Sequence, residues 1–119
     1  MPMHPEIAKA ITEAEFQRTV IDMAHALGWL VHHTRPARTG KGWTTPIQGN
    51  PGLPDLVMVS LGALPCLVFA ELKSERGREA AAQRRWADVL GRLGWPVVVR
   101  LWRPSDLPEI EAFLREWGG

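Results

Sequence analysis

Two charged residues near the middle of the chain lie in a segment that is otherwise apolar, and packing of a core does not account for charges there. Glu71 and Lys73 end the segment 66–73, which is otherwise apolar and typical of a central β-strand. Because they are two residues apart, their side chains point to one face of the strand, and Leu72 points to the other. Burying a carboxylate and an ammonium is costly unless they pair or bind something.

Asp55 adds a second carboxylate to this location. The apolar segments 55–61 and 66–73 flank the turn sequence G-A-L-P and predict a β-hairpin. A turn near Ala63 would put Asp55 opposite Glu71, with their Cβ atoms ~5 Å apart. Two carboxylates at that distance repel each other. A divalent cation, which prefers oxygen ligands, would offset this repulsion by binding both. The alternative is a plain ion pair between Glu71 and Lys73 at a strand end.

Two polar side chains on predicted helices point toward the same location. The first helix begins after Thr12, and because seven residues make nearly two turns, Glu13 shares the apolar face of Val20. The alternative for Glu13 is an ordinary first-turn acid stabilised by the helix dipole. Gln83 lies beside the apolar stripe of a second helix and points toward the sheet. Its alternative is a boundary glutamine.

The hydrophobic pattern predicts the elements that must hold these residues. Apolar residues at helical spacing follow Thr12, Gly77 and Pro104. Short apolar segments typical of strands occupy residues 29–33, 55–61, 66–73 and 96–102. The order is α-β-β-β-α-β-α, an α/β arrangement whose hairpin is central and covered on both faces. We expect four tryptophans to pack in the core: Trp29, Trp86, Trp95 and Trp102.

The stretch from Thr34 to Pro54 reads as one long loop, rich in glycine and proline. Loops of about 20 residues are uncommon in compact domains and are usually functional or disordered. No acid occurs between Asp22 and Asp55, whereas three basic residues do: Arg35, Arg38 and Lys41. The stretch is therefore either a mobile surface loop or a basic loop that contacts phosphates.

Length and composition limit the class of protein. The chain has 119 residues, 45% apolar and 23% charged, with a net charge of +1, as expected for one globular domain. Its one cysteine, Cys66, excludes an internal disulfide and a cysteine-rich zinc site. The first residues lack a signal-peptide pattern, and no apolar segment reaches the ~20 residues of a membrane span. We therefore expect a cytoplasmic protein with no membrane partner.

Several motifs, taken in order, resemble the PD-(D/E)xK nuclease signature and, more narrowly, the small stand-alone VRR-NUC domains of phages and prophages. They are T-E-A-E-F-Q at 12–17, G-L-P-D-L at 52–56, E-L-K at 71–73, Q-R-R-W at 83–86 and W-R-P-S-D-L at 102–107. The resemblance implies a restriction-endonuclease-like αβββαβ core with a C-terminal helix and a central mixed sheet flanked by helices. It also implies that residues 1–119 form a single nuclease domain.

The resemblance further implies a metal-dependent phosphodiesterase that leaves a 5′-phosphate and a 3′-hydroxyl. The implied ligands of Mg²⁺ or Mn²⁺ are Asp55, Glu71, the Leu72 carbonyl and, directly or through water, Glu13. Lys73 would orient the attacking water or stabilise charge on the phosphorane oxygens. Gln83 would steady Lys73 or a water molecule.

DNA is the implied partner, and the candidate DNA-binding residues are His33, Arg35, Arg38, Lys41 and Arg76. An ordinary half-exposed histidine at a strand end is the alternative for His33. The stand-alone family members resemble Holliday-junction resolvases in size and are expected to act as homodimers, possible substrates being four-way junctions or other branched DNA. Two alternatives remain for the function: a catalytically inactive nucleic-acid-binding module of the same fold, and an unrelated α/β domain with structural acids.

Overall fold

The computed structural model describes residues 3–34 and 48–119 in full, and the backbone alone of 37–39 and 42–44. The helices are α1 (Pro5–Ala10), α2 (Glu13–Ala26), α3 (Ala81–Gly91) and α4 (Leu107–Trp117), with a short 3₁₀ turn at Pro104–Asp106. The strands are β1 (Trp29–His33), β2 (Ala37–Thr39), β3 (Gly42–Thr44), β4 (Leu56–Ser60), β5 (Leu67–Leu72) and β6 (Val97–Trp102). No helix among these described residues is long and apolar enough to cross a membrane.

Four strands form a mixed sheet in the order β1-β4-β5-β6. The β1–β4 and β4–β5 pairs are antiparallel, and β5–β6 is parallel. The two halves of the predicted hairpin, β4 and β5, therefore occupy the centre of the sheet, as their apolar sequences indicate. The predicted α/β class, with a central mixed sheet flanked by helices, is confirmed.

Helix α2 is delimited at both ends by short-range signals. The Thr12 hydroxyl accepts a hydrogen bond from the Glu15 N–H at 3.1 Å, and the Glu15 carboxylate accepts one from the Thr12 N–H at 3.3 Å. This reciprocal pair is a capping box. At the other end Gly28 adopts φ +86°, the left-handed conformation that ends helices and favours glycine. Glu13 is consequently the first residue of the helix.

The core lies between one face of the sheet and helices α2 and α4. Buried side chains from the two helices and the central strands form one cluster: Phe16, Val20, Ala24, Leu56, Met58, Val68, Ala70, Leu72, Ile110 and Leu114. Glu71 and Lys73 alternate with these inward residues and lie toward the other face, where α3 packs.

Helix α3 is less buried than its apolar stripe predicts. None of its residues is fully buried, and Val89 is 49% exposed. Just beyond the helix Leu93 is 66% exposed, and Trp95 is 55% exposed and packs on Trp117. Trp29 and Trp102 are buried as predicted. The prediction that Trp95 packs in the core is wrong, and Trp86 is only half-buried. The sheet covers one flank of α3 and leaves the other flank uncovered.

Two short features were not expected from the sequence. Helix α1 has six residues, with His4 Nδ1 accepting the Glu6 N–H at its start. Strands β2 and β3 pair antiparallel, so the prediction of an unbroken loop over residues 34–54 is wrong for these segments. A strand of three residues is too short to show alternation, and a helix of six residues makes fewer than two turns, too few to show a period of 3.6.

Candidate active site

The register of the central hairpin brings Asp55 and Glu71 together. Leu56 pairs with Ala70, so one step further along the antiparallel ladder Asp55 faces Glu71. The Asp55 Oδ2 atom accepts a hydrogen bond from the Leu72 N–H at 3.3 Å, which ties Asp55 to β5. The structure thus has the juxtaposition of carboxylates that the turn near Ala63 predicts.

The Glu71 carboxylate is buried, with 4% of the residue exposed. Its Oε1 atom lies 3.5 Å from Lys73 Nζ and accepts a hydrogen bond from Gln83 Nε2. Its Oε2 atom has no hydrogen-bond partner among the described residues. Burial and then the neighbouring Asp55 carboxylate raise the pKa of Glu71 from 4.5 to about 7, although the Lys73 ammonium acts in the opposite direction.

The side-chain amide of Gln83 is held from both ends. Its Oε1 atom accepts the Ala80 N–H at 2.8 Å, and its Nε2 atom donates to Glu71 at 2.6 Å. A backbone N–H can only donate, which fixes the orientation of the amide. In the structure its partner is Glu71, and the expectation that Gln83 steadies Lys73 or a water molecule remains a prediction.

Lys73 and Leu72 complete the strand end. Lys73 follows the last residue of β5, and its N–H donates to the Trp102 carbonyl at 3.0 Å. Its side chain is mostly buried beside Glu71. The Leu72 side chain is fully buried in the core on the opposite face, as the alternation along the strand predicts.

These residues share a cleft with a volume of about 540 Å³. The lining residues come from α2, the end of β1, the segment up to Asp55, the end of β5 and α3: Glu13, Gln17, His33, Thr34, Asn50, Pro51, Gly52, Leu53, Asp55, Glu71, Lys73 and Gln83. Glu13 and His33 are thus placed in the cleft, whereas Arg76 is exposed outside its lining. Arg35, Lys41 and the Arg38 side chain lie outside the described residues.

The segment before Asp55 is fastened to α3. The Trp86 Nε1–H donates to the carbonyls of Asn50 at 3.2 Å and Pro51 at 2.9 Å. Gly52 has φ +104°, and a Cβ there would lie 2.5 Å from the Ala82 backbone. Only glycine fits this close approach without strain. No local pattern in the sequence marks this role of Trp86, although the glycine in G-L-P-D indicates a tight contact.

The segment after Lys73 is held by Arg103. Its Nη1 atom donates to the carbonyls of Ser74 at 2.8 Å and Gly77 at 2.7 Å. The Ser105 N–H donates to the Glu75 carboxylate at 3.1 Å. Arg103 thereby orders the chain between Lys73 and α3. Arg103 belongs to the W-R-P-S-D-L motif, but no local pattern in the sequence marks its carbonyl partners.

The donor set fits a hard divalent cation. Asp55 and Glu71 supply adjacent carboxylates, and the buried Oε2 of Glu71 has spare acceptor capacity within the described structure. No group of three or more His, Cys, Asp or Glu side chains is close enough for shared ligation in residues 3–34 and 48–119. Glu13 therefore does not lie close enough to Asp55 and Glu71 to form a group of three ligating carboxylates with them. Mg²⁺ is commonly held by one or two carboxylates, with water and substrate phosphate completing its shell.

Comparison with known proteins identifies a similar fold. A solved structure described as a VRR_NUC domain superposes with a TM-score of 0.59 and 20% sequence identity, covering 88% of this chain and 96% of that chain. No family model matches the sequence. No curated protein matches it. The chain therefore has the fold of a VRR_NUC domain, as its motifs predict.

Proposed function

We propose that this protein is a metal-dependent DNA endonuclease that hydrolyses phosphodiester bonds. The observation that carries the proposal is the buried Glu71 carboxylate, whose Oε2 lacks a partner among the described residues while Asp55 lies beside it. An unsatisfied buried acceptor costs free energy, and a cation would satisfy it while offsetting the repulsion between the carboxylates. The fold shared with a VRR_NUC domain supports a nuclease.

Four residues would hold Mg²⁺ or Mn²⁺: Asp55, Glu71, the Leu72 carbonyl and, through a water molecule, Glu13. A bound ion would make hydroxide available near neutral pH and neutralise charge that develops on the phosphate. Lys73 lies beside Glu71 and would orient the attacking water or stabilise charge on the phosphorane oxygens. Gln83 keeps the Glu71 carboxylate in one orientation.

The finer proposal is a homodimer acting on branched DNA such as a four-way junction. The described residues of one chain form a cleft of this kind around Glu71, and resolution of a junction requires two symmetric cuts, which a twofold dimer provides. The proposed DNA contacts are His33 in the cleft and the basic residues Arg35, Arg38, Lys41 and Arg76.

The test is cleavage of labelled duplex, nicked, flapped and four-way DNA with Mg²⁺ or Mn²⁺. Wild type should cut at least one substrate, and Asp55→Asn should cut none. Asp22→Asn is the matched control, because Asp22 is exposed on α2 outside the cleft. DNA binding without cleavage by wild type under all these conditions would instead indicate the inactive binding module.

A further inference from the structure

An apolar groove lies next to the candidate active site. It has a volume of about 540 Å³ and includes Asn50, Pro51, Ala82, Arg85, Trp86 and Val89. We refer to these residues as the α3 groove. The groove occupies the uncovered flank of α3, where the apolar stripe continues beyond the contact with the sheet.

The shape and chemistry of the α3 groove suit a flat aromatic ligand. Trp86 is half-buried, and its only polar atom already donates to the carbonyls of Asn50 and Pro51. The ring therefore offers only apolar and π surface to a ligand. Val89 follows Trp86 by three residues, so the two lie on one side of the helix. Val89 therefore provides an apolar surface beside the immobilised Trp86 ring.

The exposed Arg85, which lines the α3 groove, has no carboxylate partner among the described residues. Arg84 pairs with Glu79 at 3.4 Å and with Asp88 at 3.8 Å. Arg85 forms no ion pair with any carboxylate in the described part of the chain. An aromatic surface next to an uncompensated guanidinium is complementary to a nucleotide, which joins a π-face to a phosphate.

The α3 groove is continuous with the catalytic cleft. Asn50 and Pro51 line both the α3 groove and the cleft that contains Glu71. Trp86 follows Gln83 by three residues, or ~4.5 Å along the helix axis, and Gln83 contacts Glu71. A DNA strand with one phosphate at Glu71 therefore has a neighbouring nucleotide within reach of the α3 groove.

We propose that the α3 groove binds an unpaired nucleobase adjacent to the phosphate that is cut, with Arg85 contacting the phosphate of that nucleotide. The inference rests on the proposed nuclease function and narrows its substrate class. A base within an intact duplex is stacked on both neighbours and must be extruded first. Substrates with an unpaired nucleotide beside the cut, such as flaps, forks and open junctions, are therefore favoured over blunt duplex.

The test measures binding of metal-free protein to labelled blunt duplex and to the same duplex with a single-stranded overhang. Wild type should bind the overhang DNA more tightly. Val89→Asp and Arg85→Gln should each weaken overhang binding by at least about fivefold, in keeping with the loss of one base stack, and leave blunt-duplex binding nearly unchanged. Leu93→Asp is the matched control, because Leu93 is also an exposed apolar residue but lies beyond α3 and outside the α3 groove.

DNA with an abasic overhang distinguishes the contribution of the base to binding from that of its phosphate. It keeps the charge and removes the ring, so wild type should bind it no more tightly than Val89→Asp binds the normal overhang. Equal wild-type affinity for abasic and normal overhangs would overturn the inference. An equal loss of affinity for blunt and overhang DNA in both variants would also overturn the inference, because it would show that the two residues contribute only general electrostatic attraction to DNA.

Failure of the proposed function is distinguishable from failure of this inference. A base-dependent overhang preference in a protein that cuts no DNA would support the groove and refute the nuclease. Metal-dependent cleavage with no base-dependent preference would support the nuclease and refute the groove. Thermal unfolding of each variant verifies that the substitutions leave the fold intact.

Discussion

Gln83 Nε2 donates a 2.6 Å hydrogen bond to Glu71 Oε1 and so joins the first turn of α3 to the end of the central strand β5. The other end of the same amide is occupied by the Ala80 N–H. Because the amide donates to the carboxylate, it favours the charged form of Glu71 that a metal would need. Gln83 is thus a positioning residue whose effect passes through Glu71.

Replacement of Gln83 by glutamate should impair cleavage. The new carboxylate would face Glu71 at hydrogen-bonding distance and repel it, which should reduce metal affinity or activity by ~10- to 100-fold. The measurement is the cleavage rate as a function of Mg²⁺ concentration. Gln17→Glu is the control, since it adds a negative charge to the same cleft from α2. Equal losses in the two variants would show that only the net charge of the cleft matters.

Asp55→Asn and Glu71→Gln should each abolish cleavage and leave the fold intact. Removing one of two adjacent like charges relieves repulsion in the metal-free protein, so its melting temperature should stay the same or rise. An asparagine oxygen can still accept the Leu72 N–H that Asp55 binds now. Wild-type turnover by either variant at the same Mg²⁺ concentration would rule out the proposed metal site.

The raised pKa of Glu71 predicts a pH dependence of stability without metal. Between pH 4.5 and about 7 the folded protein retains a proton that the unfolded chain has released. The free energy of unfolding therefore falls as pH rises, and the stabilising contribution present below pH 4.5 is lost through about pH 7. We expect a loss of about 1–3 kcal/mol from this group.

Urea unfolding with a chelator at about pH 5 and about pH 8 measures this loss. Glu71→Gln should lose the part of the pH dependence that comes from Glu71, and Glu116→Gln, at an exposed glutamate of α4, is the control. Added Mg²⁺ should stabilise wild type more at the higher pH, because the cation binds the deprotonated carboxylate. An identical pH dependence in wild type and Glu71→Gln would contradict the prediction.

The central hairpin and its carboxylates were predictable from the sequence for a physical reason. Two apolar segments lie symmetrically about one turn, and an antiparallel ladder converts equal distances from the turn into direct opposition. Similarly, a capping box and a glycine mark the limits of α2, because both act within a few residues.

Other features depend on contacts that leave no local pattern. The carbonyl acceptors of Trp86 and Arg103 are backbone atoms that every residue type supplies, so sequence does not mark them. Periodicity shows which side of α3 is apolar, but the width of the sheet decides how much of that side is covered. The apolar stripe of α3 predicts that Gln83 points toward the sheet, but its hydrogen bond to Glu71 depends on the spacing between α3 and β5.

Lys73→Ala should reduce the cleavage rate by at least about two orders of magnitude, in line with the loss of one charge-stabilising donor. Its metal affinity should be similar or higher, because an ammonium opposes a nearby cation and is not a ligand. Calorimetric metal titration and single-turnover cleavage measure the two effects separately. Loss of metal binding with a normal rate per bound ion would show that the assigned role is wrong.

Arg35, Arg38 and Lys41 lie in the acid-free stretch before the candidate site, and their joint replacement by alanine should weaken DNA binding. Each phosphate contact contributes roughly 0.9 to the slope of log affinity against log salt concentration on duplex DNA. Three lost contacts should therefore reduce the slope by at most ~2.7. The rate at saturating DNA should change less than the affinity, because these residues would hold the DNA backbone and not the metal.

The measurement is binding of Asp55→Asn protein to labelled DNA over a series of salt concentrations, with and without the triple replacement. Replacement of Arg18 and Arg92, which are exposed outside the cleft, is the control for a general loss of positive charge. An unchanged slope in the triple variant would place the DNA-contacting surface elsewhere. The exposed basic residues before and within the first turns of α3 are then the next surface to test: Arg76, Arg78, Arg84 and Arg85.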